Sequence, residues 1–225
     1  MEADVSIQVV AYLEKLPAVR EAAGSALLAL GDGNWRMGEG AAVRAGPKLA
    51  EGDERVILEH FTHDVITTTL ATLAALGTAS RRPALGGIFQ LNNVTHLQGA
   101  VLHPMRDVRA LLGKPTRDAL TSGFRTAKAA YFDANYSPLM QALADDGAKK
   151  AAMKDKFTRF YDLLEEVAER HRVTKVLEDD EESREQVCEE VVKLVIPSLQ
   201  RFTQKGREKE FSKSKSLTQQ EQCVH

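Results

Sequence analysis

Apolar residues recur at three- and four-residue steps along nearly the whole chain, the spacing that places them on one face of an α-helix. Val5, Val9, Tyr12, Leu13 and Leu16 form the first such run, and Pro17 interrupts it. A second begins at Asp53 and passes through Val56, Ile57, Phe61, Val65, Leu70, Leu73 and Leu76. Asp53 is the predicted N-cap of that helix and Gly77 its predicted C-terminal stop. A third starts near Pro83 and sets Ile88, Leu91, Val94 and Leu97 on one face. Alternating strand patterns are scarce, and the run Thr67 to Thr69 falls inside a helical repeat. The pattern predicts an all-α fold.

Two breaks organise the chain. The glycine-rich stretch from Gly31 to Gly40, followed by Gly46-Pro47 and Gly52, makes a long connection, either functional, packed by Trp35 or partly mobile. The second break, Gly113-Lys-Pro115, sets a predicted domain boundary, with residues 1–112 before it and 113–225 after it. Beyond it, helical patterns run from about Thr116 to Asn135, briefly from Pro138, and from Lys149 to His171. The last helix begins near Ser183 and passes Pro197, where the missing amide donor predicts a kink or short break. In the helix from Lys149, the set Phe157, Phe160, Tyr161, Leu164 and Val167 is predicted to be core.

Composition narrows the function classes. The 225 residues are 43% hydrophobic and 28% charged, which is ordinary for a globular protein. Thirty basic against 32 acidic residues give a net charge of −2, which argues against a general nucleic-acid binder. Two cysteines, Cys188 and Cys223, are too few for a disulfide scaffold, and Cys188 sits in a helical pattern as a small core or boundary residue. No apolar run reaches a membrane span, and Glu2 and Asp4 stand where a signal peptide carries positive charge, so the expected compartment is cytosolic.

Candidate chemistry is sparse. The stretch Gly31 to Gly40 lacks the Gly-Lys-Ser/Thr ending of a phosphate loop and follows a helix, so it reads as an interhelical loop. His60 and His63 are spaced to share a helix face, but no second Glu-x-x-His pair accompanies them, and polarity at the edge of an amphipathic helix is the better reading. No serine elbow occurs. No catalytic residue, metal site or cofactor is expected, and the chain does not read as an enzyme.

Charge along the last fifty residues is uneven. Glu178, Asp179, Asp180, Glu181, Glu182, Glu185, Glu189 and Glu190 form an acidic block. Between Arg201 and Lys215, six basic residues against two acidic ones give a net +4. Such a tail suits anionic lipid headgroups or an acidic partner, at about 1 kcal/mol per basic residue. Nucleic acid is disfavoured, since only Phe202 and Phe211 could stack on bases. Opposite charge and closeness in the chain also raise the expectation that the acidic block folds back and masks the basic tail.

Five stretches in register resemble the C-terminal part of the seventy-kilodalton subunit of the exocyst, the vesicle-tethering complex, in its fungal form. They are Tyr12-Leu-Glu-Lys-Leu-Pro17, Ala26-Leu-Leu-Ala-Leu-Gly-Asp-Gly-Asn-Trp35, Ile88-Phe-Gln-Leu-Asn-Asn-Val94, Met153-Lys-Asp-Lys-Phe-Thr-Arg-Phe-Tyr-Asp-Leu-Leu-Glu-Glu166 and Val191-Val-Lys-Leu-Val-Ile-Pro-Ser-Leu199. The resemblance implies a short rod of stacked antiparallel helical bundles, cullin-repeat-like. Residues 1–112 would close the penultimate bundle and 113–225 would form the terminal one. It implies a non-enzymatic protein of exocytosis, peripheral at the inner face of the plasma membrane where secretion is polarised. The implied partners are phosphatidylinositol 4,5-bisphosphate, Rho-family GTPases and other exocyst subunits. The residues assigned to the lipid are Lys205, Arg207, Lys209, Lys213 and Lys215.

The chain departs from the family at the lipid site. Where the family reads Lys-Tyr-x-Lys-Tyr, this sequence has Glu210-Phe-Ser-Lys-Ser214, so Lys213 keeps the second basic position while Glu210 takes the first. Residues 217–225 lack the family's apolar periodicity, and no counterpart of its N-terminal bundles and coiled-coil region is present. A lipid-independent interaction scaffold, or a truncated homologue that has lost membrane binding, is the alternative.

Overall fold

A computed structural model describes residues 4–35, 53–144 and 150–222, with side chains except for Asp4, residues 150–152 and residues 207–222. Among these residues seven α-helices follow in order: α1 (Asp4–Leu13), α2 (Arg20–Leu30), α3 (Glu54–Ala79), α4 (Pro83–Leu102), α5 (Lys114–Ala142), α6 (Lys150–Thr174) and α7 (Glu181–Gln222). Two 3-10 turns, Leu16–Val19 and Asp107–Leu111, join them, and no strand forms among the described residues. The all-α expectation holds. The chain forms two compact units, Met1–Tyr131 and Phe132–His225, with the division falling inside α5. Gly113-Lys-Pro115 lies at the opening of α5, where a proline in the first turn gives up no helical hydrogen bond.

In the first unit, α3 and α4 form an antiparallel hairpin. The Asp53 side chain accepts from the Val56 amide at 3.2 Å, as the N-cap reading required, and Pro83 opens α4. The core gathers Leu13, Leu16, Ile66, Leu97, Val101 and Leu120, each at most 5% exposed. Each such side chain contributes roughly 1.5–3 kcal/mol by leaving water. Ile88, Leu91, Val94 and Leu97 are all buried, as the helical pattern of α4 predicted.

Gly77 does not end α3, which continues to Ala79. Its role is contact: a Cβ on Gly86 of α4 would stand 2.1 Å from the Gly77 carbonyl oxygen. The next residue serves another neighbour, since a Cβ on Gly87 would meet Tyr131 Cα of α5 at 3.0 Å. Consecutive glycines thus bring the α4 backbone against two helices.

Contacts from α2 and from the turn that follows it, residues 32–35, ascend together along α3. Ser25 Oγ donates to Glu54, Asp32 pairs with His60 at 3.0 Å, and Trp35 Nε1 donates to Asp64 at 3.1 Å. The two helices run in the same sense, an exception to the antiparallel pattern. Trp35 packs edge-on against Phe61 at 5.5 Å, as one reading of the glycine-rich connection anticipated. Arg36 to Gly52 lie outside the described residues.

The second unit consists of the end of α5 with α6 and α7. The helix predicted to restart at Pro138 is instead the last turn of α5. Asn135, Tyr136 and Leu139 are buried around that proline, and Arg170 of α6 donates to Asn135 Oδ1 at 3.1 Å. Likewise α7 is unbroken at Pro197, flanked by the buried Val195 and Phe202. In α6, Phe160 and Val167 are buried, whereas Tyr161, predicted as core, is 47% exposed and rests edge-on against Phe157 and Phe160. Cys188 is exposed, one position along from the buried Val187, which excludes the core reading and leaves the boundary one.

Two measurements check this packing. Gly86→Ala should destabilise the protein by about 3 kcal/mol in chemical denaturation through backbone overlap. Gly99→Ala, in the same helix with nothing within 4 Å of its Cβ, should stabilise it by about 0.5–1 kcal/mol. The second test concerns His171, whose Nδ1–H donates to the Val167 carbonyl at 2.7 Å. Burial holds its pKa below the ordinary value, partly opposed by that hydrogen bond and assisted by the Arg170 charge. Folding therefore favours the neutral ring, so this stabilisation is complete above about pH 6.5 and is lost as pH falls through the lower folded value. His171→Gln should show a smaller drop in Tm than the parent between about pH 7.5 and about pH 5.5.

Candidate functional site

The candidate site lies on α7, and the α6–α7 seam determines what that helix presents. Phe157 of α6 stacks on Phe202 of α7, with ring centroids 6.4 Å apart and planes within 13°. One turn on, the Met153 methyl is 3.3 Å from where a Gly206 Cβ would stand. Pairs descending on α6 while ascending on α7 make the two helices antiparallel. Lys150, where α6 begins, therefore falls near the level of Lys209. From there to Gln222, α7 runs on past the start of α6 by about 20 Å.

Register explains the change in character at this point. Val187, Val195 and Phe202 are the buried positions of α7, spaced by seven or eight residues. Another seven residues along that register comes Lys209, followed by Lys213 one turn later. The face that is apolar beside α6 thus becomes basic where α6 ends. Arg201, Lys205, Lys209 and Lys213 recur at every fourth position and form one stripe, drifting slowly around the helix.

Of the five residues assigned to lipid, the helix brings Lys205, Lys209 and Lys213 into that stripe. By register, Lys215 falls at its edge and Arg207 on the opposite side. Lys205 is exposed. The side chains of Arg207, Lys209, Lys213 and Lys215 lie outside those described. The family resemblance singled out Lys213 by its motif position and took the other four as nearby charge; the unbroken helix through Pro197 sorts all five by face.

The acidic block has a local role. Asp180 Oδ1 accepts from the Ser183 amide at 2.9 Å, capping α7, and Glu181 and Glu182 occupy its first turn, where the helix dipole favours negative charge. Lys175 pairs with Glu178, which with their mutual charge raises the lysine pKa. Arg184 donates to the Glu178 carbonyl and to Glu181, and Lys193 pairs with Glu189 at 2.9 Å. Along the continuous helix, Glu190 and Lys205 are 15 residues apart, about 22 Å, more than two Debye lengths at physiological salt. The block therefore does not fold back over the tail of its own helix, contrary to the masking expectation.

The other candidates resolve into packing. His60 turns to Asp32, and His63 Nδ1 lies 3.1 Å from Thr116 Oγ1, so the two histidines engage different elements. No group of three metal-ligating side chains occurs among the described residues. Gly31 and Gly33 have φ of 94° and 80°, the left-handed conformation glycine tolerates, and they shape the turn that delivers Asp32 and Trp35 to α3. Sequence reading gave no role to Asp64, a carboxylate 5% exposed that accepts from Trp35, a partner 29 residues away in the chain. A groove of about 340 Å³ in the first unit is lined by Leu70, Ala71, Val94, Ala119 and Gly123 with a few polar neighbours, none of them titratable. No described helix is long and apolar enough to cross a membrane.

Comparison with known protein families matches residues 4–222 to the family model for the C-terminal region of the Exo70 protein of the exocyst complex. No solved structure matches the chain.

If the acidic block serves the helix start, Asp180→Ala should cost about 1 kcal/mol of stability. Glu185→Gln, beyond the first turn, should change it by less than about 0.5 kcal/mol in the same denaturation assay.

Proposed function

The chain belongs to the Exo70 C-terminal family of the exocyst complex, and we propose that it is a tethering module that binds phosphatidylinositol 4,5-bisphosphate through distal α7. In this reading residues 1–112 are the penultimate bundle and 113–225 the terminal one. Lys205, Lys209 and Lys213 make the main contact, and Arg207 and Lys215 add charge around it. The protein works at the inner face of the plasma membrane, at sites of polarised secretion, with other exocyst subunits and Rho-family GTPases as partners.

The observation that carries the reading is the replacement of the seam register by lysines where α7 outruns α6. An apolar continuation would call for another helix; a basic one is suited to an anionic surface. The net +4 between Arg201 and Lys215 bounds the attraction at about 4 kcal/mol, a dissociation constant near 1 mM for one tail. Binding that weak becomes effective when several subunits of one complex reach the same membrane. Because the attraction is diffuse, Glu210 lowers it without removing a geometric requirement, and Lys209 next to it restores the sign.

Glu210 and the polar residues 218–222 also favour a second reading, a scaffold that binds exocyst subunits or GTPases without lipid. Pull-downs of those partners in lipid-free buffer test it directly, and loss of capture without vesicles would remove it. For the main reading, the protein should co-sediment with phosphatidylcholine vesicles only when they contain phosphatidylinositol 4,5-bisphosphate, and more weakly as salt rises. Reversing Lys209, Lys213 and Lys215 to Glu should abolish sedimentation with the helical circular dichroism unchanged. Equal sedimentation of the folded triple variant would refute the assignment.

A further inference from the structure

The stretch that carries the lysines also carries serines at alternate positions, in Phe211-Ser-Lys-Ser-Lys-Ser216. All lie within α7, so helical register sorts them as it sorts the lysines. Ser212 is seven residues beyond Lys205 and three beyond Lys209; Ser216 is seven beyond Lys209 and three beyond Lys213. Both therefore fall in the basic stripe. Ser214 is seven beyond Arg207 and four beyond Glu210, on the opposite side.

We infer that Ser212 and Ser216 are phosphorylation sites for a protein kinase that selects serine beside basic residues, and that their modification switches off membrane attachment. The inference rests on the phosphoinositide reading of distal α7. In the reaction the serine Oγ attacks the γ-phosphorus of ATP, the bond from that phosphorus to the bridging oxygen breaks, and ADP leaves. The hydroxyl proton passes to the carboxylate base of the kinase. Each phosphoserine carries about −1.5 to −2 at neutral pH, so two remove about three to four charges from a segment of net +4. They do so inside the stripe, one turn from Lys209 and Lys213, where i,i+3 neighbours interact. The attraction to an anionic surface falls to nearly nothing, while the Phe157–Phe202 seam beside α6 is left untouched.

The test uses the whole chain, treated with ATP and a basic-directed serine kinase, mapped by mass spectrometry, and assayed on phosphatidylcholine vesicles with and without phosphatidylinositol 4,5-bisphosphate. Phosphate should appear on Ser212 and Ser216, binding should weaken by about two to three orders of magnitude, and phosphatase should restore it. A Ser212→Ala, Ser216→Ala protein should bind like the unmodified parent and ignore the kinase. A Ser214→Glu protein should lose far less than Ser212→Glu, Ser216→Glu. If the unmodified parent binds and its phosphorylated form binds equally well, or if both serines stay unmodified, the switch is refuted and the lipid reading stands. If the unmodified parent fails to bind, the lipid reading falls and the switch falls with it.

Discussion

Close approach of helix backbones at Gly77, Gly86 and Gly87 is the constraint on which the first unit depends. Helices packed through ordinary side chains lie about 8–10 Å apart, and one residue with a Cβ at Gly86 would push α4 off the Gly77 carbonyl. Only with that contact closed do Leu73, Val94 and Ala127 meet in a buried layer. The same pair of residues sets α4 against α5 at Tyr131, so one dipeptide fixes two crossings. The polar turn at Gly31–Trp35 then closes the α2 side of α3 with directional bonds, Asp32 to His60 and Trp35 to Asp64. Apolar burial supplies the gross stability of this unit, and the glycines decide which helices share it.

In the second unit a different rule operates, that a helix face must either be covered or be soluble. The seam of α7 is apolar for as long as α6 accompanies it, through Val187, Val195 and Phe202, and lysine takes over the register beyond Gly206. Charge at the two ends of α7 thus has two unrelated causes. Carboxylates at the start satisfy amide donors and the dipole, as the Asp180 cap shows, whereas the lysines at the far end continue the register past the start of α6. Reading both as one electrostatic system suggested a fold-back that helix length rules out.

Much of this was legible in the sequence where the signal is local. The Asp53 cap, the Pro83 start and the buried face from Ile88 to Leu97 depend on residues within a few turns, and each was read correctly. What failed depends on distant partners. A glycine that stops a helix and one that admits a neighbouring backbone look alike in sequence, and Gly77 is the second kind. Pro138 and Pro197 interrupt local hydrogen bonding, yet with buried residues on both sides their helices continue unbroken. Tyr161 and Cys188 belong to helical faces whose outer edge remains in water, a boundary that periodicity cannot draw to within one residue. At the candidate site the list of basic residues was legible, while their division into stripe and opposite side needed an unbroken α7.

The central claim is that distal α7 is the membrane-facing part of an exocyst family module. Hydrogen–deuterium exchange with and without vesicles containing phosphatidylinositol 4,5-bisphosphate tests it most directly. The account predicts that slowed exchange is confined to α7 from about Lys205 onward and vanishes at high salt, with α3, α4 and α6 unchanged. Protection centred on any other helix, or none in a vesicle-bound protein, would contradict it.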